Sequence, residues 1–189
     1  MKKIIKNYLP LILGVSLPII IIIIFTLTQY LPRYFVSPPK YNLLFATNYY
    51  YYNNNNQNNS YEISVLNQKL VFKYQKLQYQ RNKPNLYIFD PKNKNIKEIQ
   101  YEIPQVTDDK WHIINIPELD SIQLDANKTS LDGFSFKNYS SDNFNLFNLF
   151  LSSRYNRNYG ISKNGYFINI NSSQDLNFYQ VHFVGWIIS

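Results

Sequence analysis

Cysteine is absent from the chain, which removes a disulfide framework, a thiolate nucleophile and any Cys-ligated zinc or iron–sulfur site. Histidine occurs only at His112 and His182, each in a β-prone stretch, so a metal site would need the fold to bring both together with carboxylates. Five glycines in 189 residues leave little material for phosphate-cradling loops, and neither G-x-S-x-G nor H-E-x-x-H occurs. No metal and no small-molecule cofactor is expected.

Acid is missing wherever the positive excess collects. The net charge is +7, yet residues 1–40 hold Lys2, Lys3, Lys6, Arg33 and Lys40 with no acid, while the remaining 149 residues carry 14 basic and 12 acidic side chains. A nearly balanced domain lacks the basic stripe that phosphate backbones require, so no nucleic-acid partner is expected.

What is present is one long apolar run. Leu9 to Leu31 contains no charge and includes six consecutive isoleucines, Ile19 to Ile24. Twenty-odd helical residues cover the roughly 30 Å hydrocarbon core of a bilayer. Pro10 lies where a helix start tolerates it, whereas Pro18 is expected to kink the helix or end its first turns. Lys2, Lys3 and Lys6 precede the run, so the positive-inside bias places the N-terminus in the cytoplasm. A cleaved signal peptide has the same charged start, but this apolar region is longer, and Thr26-Leu27-Thr28-Gln29-Tyr30 offers no small-x-small cleavage site.

The organisation expected is a cytoplasmic segment 1–8, a transmembrane signal anchor 9–31, a Pro-rich stalk 32–40 with Tyr30, Tyr34 and Phe35 at the interface, and an extracytoplasmic domain 41–189. A bacterial inner membrane with a periplasmic or extracellular domain suits this plan, and an endomembrane placement has the same topology. Ser37-Pro38-Pro39-Lys40 matches S-x-x-K of penicillin-recognising enzymes only formally, because the two prolines oppose the helical turn that motif needs.

Beyond Tyr41 the apolar residues alternate. Tyr61, Ile63 and Val65 share one face, as do Leu70, Phe72 and Tyr74, and Asn67-Gln68 suits the turn of a hairpin over 61–75. Asn85–Phe89 and Ile96–Ile103 flank the turn chemistry of Asp90-Pro91-Lys92-Asn93-Lys94-Asn95. This stretch resembles a hairpin from one β-propeller blade, but it occurs once, without the 40 to 50-residue period of propellers. Trp111–Ile116 reads as a strand ended by Pro117, and Asn164-Gly165 as the turn between two short strands. Phe178–Ile188 places Tyr179, Val181, Phe183 and Ile187 on one face, with Gly185 at a bulge. Its apolarity predicts a central strand whose loss prevents folding. Seven to ten such strands predict an all-β domain, a sandwich or partly closed barrel.

Candidate sites are few. Phe144, Phe147 and Phe150 lie in an apolar run that fits neither period, and they are the expected protein-contact surface together with sheet edges. Tyr50, Tyr52, Tyr155 and Tyr159 are candidates for an aromatic platform among the 18 Tyr and 13 Phe, which strand propensity and core filling also explain. The Asn53–Asn59 tract is low complexity, expected as a loop, in keeping with an A/T-rich codon bias through the whole chain. Asp125 begins like a calcium loop, but Ser130 and Phe136 stand where an EF-hand needs Gly and Glu. Asp108, Asp109, Glu118, Asp120, Asp125, Asp132, Asp142 and Asp175 supply acids in principle for glycosidase chemistry, and no pair is preferred. Four N-x-S/T sequons, at Asn58, Asn127, Asn138 and Asn171, are about what the abundance of Asn, Ser and Thr gives by chance. The sequence therefore points to a single-pass, non-enzymatic β domain that binds a membrane or envelope protein, or another envelope component. An envelope hydrolase or carbohydrate-binding protein is the alternative.

Overall fold

The apolar run folds as one helix, α1 (Lys2–Phe35), about 50 Å long at 1.5 Å per residue. The computed structural model describes residues 2–49, 60–76, 83–139, 158–170 and 180–189. Two compact units divide the chain, residues 1–37 with 164–166 and residues 38–163 with 167–189. Pro18 lies within α1 without ending it, and the helix continues through Pro32 to Phe35, so the expected stalk begins only at Val36. Proline inside a helix forfeits one i→i−4 bond, which the neighbouring turns tolerate here. Thr26 Oγ1 donates to the Ile22 carbonyl at 2.8 Å, so its hydroxyl is satisfied within the helix. Among the described residues no helix is long and apolar enough to cross a membrane. The described side chains in the apolar part of α1 are those of residues 13–27 and Leu31.

The β unit holds eleven strands among the described residues: β1 (Asn42–Thr47), β2 (Tyr61–Leu66), β3 (Lys69–Tyr74), β4 (Asn85–Asp90), β5 (Asn95–Ile99), β6 (His112–Ile113), β7 (Leu124–Asp125), β8 (Ser135–Tyr139), β9 (Asn158–Lys163), β10 (Tyr166–Asn169) and β11 (Val181–Ile187). One helical turn, α2 (Pro117–Asp120), interrupts them. They form three open sheets and no closed barrel: sheet A in the order β5-β4-β1-β11-β7, sheet B as β2-β3-β6 and sheet C as β10-β9-β8.

The hairpins follow their turn residues. Leu66 pairs with Lys69, and Asn67 and Gln68 have φ of 50° and 61°, the double positive φ of a type I′ turn. Asn164 and Gly165 repeat that geometry with φ of 47° and 81° between β9 and β10. The β4–β5 turn is fixed by Asp90, whose carboxylate accepts from the backbone amides of Lys92 and Asn93 and from the Asn93 side chain. β5 stops at Ile99 rather than Ile103.

Sheet A is the shared wall of two cores. On one face Leu44 and Ala46 of β1, Leu86 of β4, Ile99 of β5 and Val184 of β11 pack with Tyr61, Ile63, Phe72 and Tyr74 of sheet B. The other face carries Leu43, Phe45, Phe89 and Trp186, all fully buried, and meets sheet C, where Phe136 of β8 lies 5.5 Å from Phe183 of β11. Both phases of β1 must therefore be apolar, as Leu43-Leu44-Phe45-Ala46 is.

The bulge expected at Gly185 is present, with a consequence for the faces of β11. Leu44 pairs with Gly185 and Phe45 with Phe183, which leaves Val184 as the extra residue. One inserted residue inverts the alternation beyond it, so Ile187 joins the sheet B core while Trp186 takes the place expected of Ile187 beside Phe183. A Cβ on Gly185 would lie 3.0 Å from the Asp125 carbonyl of β7, so the close approach of that edge strand favours glycine here.

Trp186 is completely buried, and its indole N–H has no partner among the described residues. Trp186→Ala is expected to cost about 3–5 kcal/mol through the cavity it leaves. Trp186→Phe should cost much less, because it also removes the unsatisfied donor. Urea unfolding of the two variants measures both.

Candidate functional site

Among the described residues, an open apolar surface of the β unit lies at the β6 edge of sheet B. The sequence predicts a full strand over Trp111–Ile116, but only His112 and Ile113 pair with β3, opposite Tyr74 and Lys73. Pro117 starts α2 at once, with Ile116 as its extended N-cap residue, and this cuts the strand short. Ile114 donates its amide to the Phe72 carbonyl, so the intervening peptide groups of Ile113 point away from β3. Ile114 and Ile116 are buried in the core, whereas Trp111 is 45% and Ile113 73% exposed. Beside them lies a shallow hollow of about 180 Å³, lined by Lys69, Leu70, Ile113, Ile116, Leu119 and Asp120. Lys69 Nζ donates to the Asp120 carbonyl across its rim.

Sequence reasoning missed Trp111 and Ile113 as surface residues. The signal was there: residues 111–116 carry apolar side chains in both phases, and a strand buried on only one face must expose one of the two sets.

The opposite edge of sheet B is closed by a side chain. Tyr49 is buried, its hydroxyl accepts the Ile63 amide of β2 at 3.3 Å, and its ring lies 4.7 Å from the His182 ring. Burial, and secondarily the charge of Lys128, hold His182 below its ordinary value. His112 lies instead on sheet B, with Nε2 2.5 Å from Asp108 Oδ1. Its partner's carboxyl is held below the usual range chiefly by that hydrogen bond.

The two histidines thus serve different sheets, and no group of three or more His, Asp or Glu able to hold a metal occurs among the described residues. Several of the described acids are engaged locally, and Asp142 and Asp175 lie outside the described residues. Glu62 pairs with Lys73 at 3.2 Å, Glu118 with Lys97, and Asp125 Oδ1 accepts from the Asn127 amide and side chain. Asp90 is pushed up by burial, yet the Asn93 and Lys92 hydrogen bonds outweigh this and lower it. Ser37 and Lys40 lie in an extended segment outside any helix, so they do not face each other across a helical turn.

Of the proposed platform, Tyr159 is buried in β9 and stacks on Phe136 with ring centroids 6.4 Å apart. That is a core position. Tyr50, Tyr52 and Tyr155 lie outside the described residues, as do the Asn53–Asn59 tract and Phe144, Phe147 and Phe150. Comparison with known proteins returns no match among protein-family models, curated proteins or solved structures.

The His182 environment generates a pH prediction. A histidine whose folded value is lowered stabilises the fold fully above its unfolded value of about 6.5 and loses that contribution as pH falls through the folded value. Urea midpoints are therefore expected to drop between pH 7.5 and 5, and His182→Phe, which keeps a ring against Tyr49, should flatten the drop. An unchanged slope in that variant would assign the pH dependence elsewhere.

Proposed function

We propose that the chain is a single-pass membrane protein whose N-terminus is cytoplasmic and whose β unit is an extracytoplasmic, non-enzymatic module that binds another protein at the β6 edge. The observation that carries the anchor is the exposure of Ile19 to Ile24, all between 51% and 64%, around α1. Six successive helical residues cover more than a full turn, so an apolar environment is needed on every side rather than along one face. Burying each isoleucine is worth about 1.5–3 kcal/mol, and a bilayer supplies that environment all round. Lys2, Lys3 and Lys6 before the run, with only Arg33 and Lys40 close behind it, support the orientation.

The binding surface rests on Trp111 and Ile113, exposed beside outward peptide groups on a strand of two residues. An extended segment of a partner can add to such an edge through its main chain and place an apolar side chain in the adjoining hollow. The reading that uses Asp/Glu pairs for hydrolysis gains no support from Asp108, Glu118, Asp125 and Asp132, whose carboxylates are tied into ion pairs and turns.

The test is site-specific photocrosslinking from position 113 of the full-length protein in intact membranes. One discrete adduct is expected, abolished by Trp111→Asp at an unchanged melting temperature. Diffuse adducts, or an adduct indifferent to Trp111→Asp, would overturn the binding surface. Retention in the membrane pellet after alkaline extraction checks the anchor independently.

A further inference from the structure

We propose that the partner seated at the β6 edge is a second copy of this chain, paired antiparallel about a twofold axis at His112, with Trp111 of each copy entering the hollow of the other. This rests on the reading of that edge as a binding surface and names its occupant. The pairing of His112 with Tyr74, and the bond from the Ile114 amide to the Phe72 carbonyl, turn three groups away from β3: the Trp111 carbonyl and both peptide groups of Ile113. The same two residues read in the opposite direction answer them. With Trp111 set against Ile113 of the second copy, the Ile113 amide donates to the second copy's Trp111 carbonyl, and the reciprocal bond forms across the axis.

The side chains fit the same register. Trp111 is 45% exposed, yet the chain on either side of it is tied down: Gln75 Nε2 donates to the Asp109 carbonyl, and His112 Nε2 lies 2.5 Å from Asp108 Oδ1. A ring held outward in this way has little freedom left to lose on binding. Just beyond Ile113 lies the hollow of about 180 Å³, with Leu70, Ile116 and Leu119 in its lining. Cavities of about 150 Å³ hold a benzene ring. Antiparallel pairing brings residues 109–111 of the second copy alongside 113–115, so its Trp111 arrives at the mouth of this hollow and the first copy's Trp111 at the other. An aromatic side chain opposite a β-branched one is also a favourable cross-strand pair. The edge therefore carries both halves of one contact, a projecting ring and a cavity for it, which is what an isologous interface requires of a single surface.

Charge agrees. The twofold carries exposed Lys110 to the side of the second copy's Asp120, and exposed Asp109 to the side of its Lys69, both on the rim of the hollow. The other acids nearby, Asp108 and Glu118, are already paired with His112 and Lys97.

The test uses the full chain in membranes. Two differently tagged copies are co-expressed, one with a photoreactive residue at position 113, and adducts are identified by tag and by peptide mapping. An adduct containing both tags, joined to residues 110–112 of the other copy and lost in Trp111→Asp, is expected. The absence of natural cysteine gives an independent reading of the register. His112→Cys sets two thiols opposite each other in the closer, non-hydrogen-bonded kind of pair, and is expected to form an interchain disulfide on mild oxidation. Glu98→Cys, exposed on β5, is not. A discrete adduct to a different protein, still sensitive to Trp111→Asp, would overturn the second copy and leave the binding surface standing. An adduct with both tags but no His112→Cys disulfide would overturn the twofold pairing. No discrete adduct, or one indifferent to Trp111→Asp, would overturn the surface and the pairing with it.

Discussion

The fold depends on a sheet whose central strand has no solvent face. Because sheets B and C cover opposite sides of sheet A, β1, β4 and β11 must satisfy two cores at once. The bulge at Val184 reconciles them: Val184 turns into one core while Phe183 and Trp186 remain in the other. A strictly alternating β11 would put either Phe183 or Trp186 on the wrong side, because three steps separate them. The position of one inserted residue thus decides which large side chains fill which core.

The elements legible in the sequence are those governed by local chemistry. Asn67-Gln68, Asn164-Gly165 and the Asp90–Asn95 turn each define their hairpins through residues that tolerate positive φ or bond their own backbone. Alternation likewise revealed the inward faces of β2 and β3, and the all-β class followed. What local pattern did not convey is how strands from distant segments share a sheet. The placement of β11 between β1 and β7, and the division into three sheets, depend on contacts far apart in the chain. The phase change at the bulge was missed for a related reason: Gly185 marked the place, but its effect on Ile187 is read only from the partner strand.

The candidate surface was hidden by a different effect. Trp111 and Ile113 are residue types that normally mark a core, and Tyr159 is a type that often marks a platform, yet their environments are reversed. Side-chain chemistry alone does not separate the two cases, because aromatic and β-branched residues serve both. Exposure is set by which neighbouring strand is present, and at β6 no further strand follows among the described residues. The acids show the same dependence on surroundings, since Asp90 and Asp125 spend their oxygens on their own turns.

The contact between Tyr49 and the Ile63 amide has a bearing on assembly. It occupies the middle outward amide of β2, so sheet B has one obstructed margin and one accessible margin at β6. Growth of a ribbon requires both margins of every unit to accept a neighbour. With β6 the accessible margin of sheet B among the described residues, two copies meeting there across a twofold axis would pair edge to identical edge and use it up. Sheet B then has no second margin from which to continue, so a ribbon could grow only through an edge of sheet A or sheet C.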